Sequence, residues 1–599
     1  MTNKPKIQMI QIADSTFIAH DSLALIPLGG QSEMGLMLWV MVYEGEIILV
    51  DAGAAYPNQD LPGVDLLLPN TNFLEANQNR IRALVLTNGH EEHCGAVTYL
   101  LRHLKIPKIM APKFVCQLLS QSIVGSGNIE LSKQTKHDTI DNLLDTVEVA
   151  TTYEVGPFEL EWIPVNNAIA DACALSIHTK EGTVIYTSSF KLDQTPVDGR
   201  VFDIKRFSQI GDKGVLALIS DSAGVENIGY TPSEKTVKER LQREIEDAKG
   251  RVFVVFPGTN THRLQILFDI AKATDKKMHL LGASLLKTAL AAVVTGHLNY
   301  DRSVEASLEE LSSMPDHKQI IIASGIEDDP MHVLHTLAYG TRPGINIKKG
   351  DTIIYSANVI PGKLRHFASI LDQLLSIGVK CVHSENGSVH VSKHASAEEL
   401  KLVLSLIKPK YFLPAIGEGR HIMHHAQLAI DWGMDHEDVF PIGNGDVLQI
   451  KMQQPSLIGS VDAGSVLYNW QQGERVTTSS VRERKNLSYD GAMVVSLVLD
   501  NTFQLVQKPS IQCRASGFLK SNDWHAMQND LNEVIVKALE AAFNTQKKST
   551  EINTTTIKTA VREAVVRLIK QRLQTKPFIQ VMVHQLSEAK TKQLTNRPL

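Results

Sequence analysis

The chain has 599 residues, 43% of them hydrophobic and 21% charged, and its 60 Lys and Arg against 65 Asp and Glu give a formal net charge of −5. That length exceeds what one hydrophobic core ordinarily supports, so roughly two to four domains are expected, and the composition describes a soluble, well-packed protein without a long disordered block. The acidic balance leaves no global footprint for nucleic acid, so any RNA or DNA has to be held in a local basic groove.

The first residues show no basic, apolar, small-residue progression, so no export signal is expected and the protein is read as cytoplasmic. The most apolar run, Leu36 to Val42, is too short to span a bilayer and is followed by the turn Glu44-Gly45-Glu46, which predicts a hairpin of Leu38–Tyr43 with Glu46–Val50 and no membrane partner. Ala83 to Leu86 reads as a buried strand, 87-TNGHEEHCGA-96 as a loop, and Val97 to Leu104 as a helix. Residues 23 to 225 alternate short apolar runs with turn residues, the mark of a mixed α/β layer domain.

From 233 to 390 strands and helices alternate strictly, from Arg251–Phe256 and His262–Ala273 through Thr352–Tyr355 and Lys363–Ile377, which argues for a parallel sheet. Helix Ala397–Ile407, strand Lys410–Leu413, helix His421–Trp432 and a strand near Val447–Ile450 follow. The polar stretch after 452 reads as a linker to a small α/β unit with strands Ala492–Leu499, Phe503–Val506 and Phe578–Val583 and helices Asp523–Phe543 and Thr555–Gln574. The five cysteines are odd in number, scattered and never spaced as C-x-x-C, so neither a disulfide framework nor a thiolate zinc site is expected.

The loop 87–96 lies at the carboxyl end of a strand, where open α/β sheets place their sites. Its spacing resembles the HxHxDH signature of the metallo-β-lactamase superfamily, with Asn88 in place of the first histidine, Glu92 in place of the aspartate, and His90 and His93 unaltered. Together with 50-VDAGAAYP-57, 219-ISDSAGVENIGYTPSE-234, 257-PGTNTHRLQ-265, 349-KGDTIIYSANVIPG-362, 389-VHVSKHAS-396 and 408-KPKYFLPAIGEGRH-421, the chain resembles ribonuclease J, in the β-CASP branch of that superfamily. The resemblance runs from about residue 23 into the C-terminal unit and most resembles the degenerate second paralogue that some bacteria carry.

That resemblance implies an αββα sandwich with an inserted β-CASP α/β domain and a C-terminal α/β module. The expected boundaries are an extension 1–22, sandwich 23–232 and 391–452, insert 233–390, linker 453–484, C-terminal domain 485–585 and a frayed tail 586–599. It further implies a 5′→3′ exo- and endoribonuclease of messenger RNA decay and ribosomal RNA maturation that uses two zinc ions. Carried over one position at a time, the family's ligands fall on Asn88, His90, Glu92, His93, Asn167, Ser189 and Ile416. Zinc takes three or four imidazole, thiolate or carboxylate donors at about 2.0–2.3 Å, and an amide or hydroxyl is a weak substitute. Without a bridging carboxylate, two cations at close range also repel. The expectation is therefore no zinc or a single weakly bound ion on His90, Glu92 and His93.

The resemblance places the RNA-contact segments on Thr259-Asn260-Thr261 and on His390, Val391, Ser392, Lys393 and His394, with Lys393 in place of a glycine and His394 where the family has a proposed general acid. Glu92 is the other catalytic candidate. Acidic Glu327, Asp328 and Asp329 stand where a phosphate-cradling segment is expected and would repel it. The leading expectation is an RNA-binding subunit, as a homo-oligomer or with an active paralogue, whose own nuclease activity is weak or absent. Two alternatives stay open: an active nuclease with a rearranged or mononuclear site around His90, Glu92, His93 and Cys94, and a purely structural partner.

Overall fold

A computed structural model describes residues 10–13, 16–57, 61–125, 142–324, 329–359, 362–470, 472–500, 504–514, 521–546, 554–574 and 577–586. The chain forms two compact units, one of Met1–Ala55 with Leu67–Val466 and one of Tyr56–Leu66 with Leu467–Leu599.

The first unit is built on two large sheets. One runs Leu144–Val147, Ile109–Pro112, Ile81–Val85, Glu46–Val50, Leu38–Tyr43, Leu23–Gly29, Asp446–Lys451 and Gln454–Ser460, and the other Thr152–Val155, Phe158–Pro164, Cys173–Thr179, Gly182–Tyr186, Val215–Asp221 and Pro409–Ala415. Their facing sides share a core that includes Trp39, Ile48, Val85, Trp162, Leu175, Tyr186, Ile219 and Leu413. The expected hairpin is present, with Tyr43 opposite Glu46. The apolar runs of these strands become fully buried β-structure because both faces are covered.

Between Val215–Asp221 and Pro409–Ala415, which pair in parallel, the chain makes a five-stranded all-parallel sheet in the order Lys277–Leu281, Gln319–Ala323, Val252–Val255, Thr352–Tyr355, Lys380–Val382. Its side chains alternate with period two: Val252 and Val254 join one core, Phe253 and Val255 the other. The first of these cores also contains Ile163, Ala174, Ile185, Leu218 and Phe412 of the six-stranded sheet, so insert and sandwich share one apolar mass.

The second unit has a three-stranded sheet, Ser510–Arg514 antiparallel and Phe578–Gln585 parallel to the central Ala492–Leu499. Helices Ser521–Gln546 and Thr554–Leu573 close it over Val495, Leu497, Leu531, Ile535, Val561 and Val565. Two expectations need correction. The stretch 453–484 is not a plain linker: Gln454–Ser460 pairs with Asp446–Lys451, Ser465–Asn469 is a strand and a helix begins at Thr478. The second strand of this unit is Ser510–Arg514 rather than Phe503–Val506, of which only Leu505 makes a bridge, to Leu499, among the described residues. The tail expected to fray lies, from 587 on, outside the described residues, as do Glu327 and Asp328. Among the described residues no helix is long and apolar enough to cross a membrane.

Candidate functional site

The candidate site forms where strands Glu46–Val50, Ile81–Val85, Gly182–Tyr186 and Pro409–Ala415 end. Just past three of these ends the backbone enters the left-handed region, at Asp51 (φ 60°), Ser188 (φ 58°) and Ile416 (φ 58°). Such residues cost on the order of 1–3 kcal/mol each and persist only where surrounding structure over-determines them. The loop 87–96 is pinned on Asp51's segment by backbone hydrogen bonds from Ala52 N–H to the His93 carbonyl (2.7 Å) and from Ala54 N–H to the Glu91 carbonyl (2.9 Å). Only glycine fits at 53, because a Cβ there would lie 1.8 Å from the Glu92 carbonyl oxygen.

Asp51, fully buried, accepts from the Thr87 backbone N–H (2.9 Å), the Thr87 hydroxyl (2.9 Å), the Tyr186 hydroxyl (2.9 Å) and His93 Nδ1 (2.6 Å). The opposite nitrogen of His93, Nε2, lies 2.6 Å from Ser189 Oγ, which donates to Glu92 Oε1 (3.2 Å), and the same oxygen takes the Lys393 ammonium at 2.6 Å. Burial alone would lower the His93 imidazole, but the Asp51 charge and hydrogen bond, with Glu92 behind them, raise it to about 9. Burial would raise the Glu92 carboxyl, but Lys393 and His93 hold it well below the ordinary carboxylate range.

Asp51, His93 and Ser189 thus have the spacing of an acid–base–nucleophile relay without its chemistry. The imidazole keeps both protons near neutral pH, so it donates to Ser189 instead of activating it, and all three side chains are shut off from solvent. His90 is the opposite case. Burial first, and then the Lys393 charge, push it well below its usual value, so it is neutral: Nε2–H donates to Asn167 Oδ1 (2.8 Å) and Nδ1 accepts from the Thr259 hydroxyl (3.0 Å).

The remaining predicted ligand positions serve the fold. Asn88 accepts the His90 backbone N–H (3.0 Å) through its side-chain oxygen and donates to Ser188 Oγ (2.8 Å), while Asn167 donates to the Ser189 carbonyl (2.8 Å). Ile416 buries its side chain in the core between the large sheets. Cys94 is buried, and burial holds its thiol well above the usual range.

Of the predicted RNA-facing residues, several turn inward. Asn260 caps helix Thr261–Ala273 by accepting the Arg263 N–H (2.8 Å), Thr261 Oγ1 accepts the Ala170 N–H (2.9 Å), and Val391 is a core residue, so none of these three side chains is free to face a strand. Thr259 is buried against His90. Ser392 accepts the His394 N–H (3.0 Å), and His394 Nδ1 lies 2.7 Å from Asp221 Oδ2. Burial, then the Arg263 charge, lowers half-buried His390 to about 4. Asp329, expected to repel phosphate, caps helix Pro330–Ala338 by accepting the Met331 N–H (2.9 Å). Thr87, Tyr186, Ser188 and Asp221 were not among the predicted residues; Asp221, like Asp51, is an acid at a strand's carboxyl end, which is the signal that could have found it.

Residues 249–374 match the family described as ribonuclease J, beta-CASP domain, residues 479–586 the ribonuclease J C-terminal domain, and residues 37–164 the metallo-beta-lactamase superfamily. A ribonuclease J of Synechocystis sp. is 32% identical over 572 residues, which cover 94% of this chain and 86% of that protein. The chain belongs to the ribonuclease J family. A ribonuclease J of Thermus thermophilus is likewise 32% identical, covering 88% and 89%, and ribonuclease J2 of Bacillus subtilis is 29% identical, covering 93% and 98%.

Membership of the metallo-beta-lactamase superfamily implies a metal. Among the described residues no three His, Cys, Asp or Glu side chains are gathered so as to hold one. The donors that do converge are spent on one another: both nitrogens of His90 and of His93 are engaged, Asp51 accepts four hydrogen bonds, and Glu92 faces an ammonium. This donor set does not fit a pair of divalent ions.

Proposed function

We propose that this ribonuclease J family member is an RNA-binding subunit of RNA processing and decay, in messenger RNA turnover and ribosomal RNA maturation, with weak or no nuclease activity of its own. The observation that carries this reading is the closed chain Asp51–His93–Ser189–Glu92–Lys393, in which each donor has an acceptor and two protein cations offset two carboxylates. A hydrolytic site for phosphodiesters needs an activated water and concentrated positive charge. Here the charges cancel in place, and the positions that the resemblance assigns to further ligands hold Asn88, Asn167, Ser189 and Ile416. Any zinc is absent or a single weakly held ion.

We assign RNA contact to the segment His390–His394, of which His390 and Ser392 are partly exposed, with an insert bounded by 233 and 390 and a sandwich of 23–232 and 391–452. We assign the chain to the cytoplasm and to an oligomer, with itself or with an active paralogue that supplies catalysis. The test is decay of 5′-monophosphorylated RNA by the purified chain, with metal analysis of the same sample. Slow or no turnover, fewer than two zinc ions and RNA affinity that falls steeply with salt are expected; two tightly held zinc ions with rapid turnover would refute the reading.

A second reading has one observation in its favour. Asp51 stands behind His93 as a carboxylate stands behind a metal-binding histidine, and Glu92 Oε1 is 3.5 Å from Nε2. A mononuclear nuclease built there predicts metal-dependent cleavage that His93→Ala abolishes.

A further inference from the structure

Lys393 sits between the buried residues Val391 and Ala395, and its ammonium enters the site from a segment 301 residues away from Glu92 in sequence. Ion pairs between exposed side chains contribute little, but this one is mostly enclosed, with side chains 25% and 17% exposed. A single oxygen, Glu92 Oε1, is the meeting point of three positive or donating groups: Lys393 Nζ at 2.6 Å, Ser189 Oγ at 3.2 Å and His93 Nε2 at 3.5 Å. A metal site has the opposite polarity, with several donor ligands around one cation. With the ammonium removed, Glu92 becomes a largely buried carboxylate facing a hydroxyl and a ring already paired with Asp51, a far costlier state than loss of an ordinary surface pair.

We propose that the Lys393 ammonium is a cation built into the chain, tying the segment 390–394 to the loop 87–96 through Glu92 and holding the floor of the site together without a metal. This rests on the reading that no metal pair occupies the site. The pair also offsets its own charge, so the lysine is engaged in holding the floor together before any phosphate arrives.

The experiment compares thermal melts of the full chain, Lys393→Met, Glu92→Gln and the double variant, each with EDTA and with added zinc. Methionine keeps the stem and removes the charge. We expect a wild-type melt indifferent to EDTA and to zinc, a Lys393→Met melt lower by about 5 °C, and a double variant that regains most of that loss because both charges are gone. Should Lys393→Met fail to fold, its rescue by Glu92→Gln reports the same coupling. A wild type stabilised by zinc or weakened by EDTA, or single variants whose small shifts simply add, would overturn the proposal. RNA decay by the same wild-type sample separates the two ideas: rapid turnover with full coupling removes the functional reading alone, and an inert wild type with additive melts removes this one alone.

Discussion

At the scale of single residues, the site is governed by who neutralises whom. Asp51 has four donors and His93 has an acceptor on each nitrogen, so neither is replaceable by a neutral isostere without leaving a charge unpaired in a dry interior. Asp51→Asn is expected to cost about 3–5 kcal/mol of stability, read by chemical denaturation, whereas a loss below 1 kcal/mol would show that the His93 charge is not held there. The sequence made Asp51, His90, Glu92 and His93 visible because they lie in short motifs at strand ends. It could not show that Lys393 reaches Glu92, because spacing within a motif carries no information about a contact made through the whole fold. Nor could it show that Asn260 is a helix cap and not a substrate contact, since the same side chain suits both.

At the scale of elements, the helix Gly419–Asp431 buries His425 against Phe412, with ring centroids 4.8 Å apart and Nδ1 2.9 Å from Ser222 Oγ. Burial lowers this imidazole to about 3. Because the folded form resists protonation that the unfolded chain accepts near 6.5, stability is undiminished above pH 6.5 and is lost as the pH falls toward 3, at about 1.4 kcal/mol per pH unit. The melting difference between wild type and His425→Gln should therefore shrink steadily on acidification from pH 6.5, and a constant difference would contradict the assignment. Periodicity served the elements well where apolar runs were long, as in Thr352–Tyr355 and Ala397–Ile407. It missed Lys380–Val382, which is too short to show a period, and Gln454–Ser460, whose largely exposed residues leave no apolar rhythm to read.

For the whole molecule, two compact units predict two separable melting events. Ile535 is fully buried in the core of the second unit, so Ile535→Ala should remove about 2–5 kcal/mol from one transition and leave the other in place by calorimetry; a single transition that moves as one would argue against independent cores. The first unit behaves otherwise. Thr259 of the insert meets His90 at 3.0 Å, Thr261 Oγ1 accepts the Ala170 N–H at 2.9 Å and Asp193 accepts the Glu234 N–H at 3.1 Å, beside the apolar mass that insert and sandwich share. Two bodies fused through such a joint cannot gape like hinged jaws, since any opening would part these buried hydrogen bonds and wet the shared apolar mass.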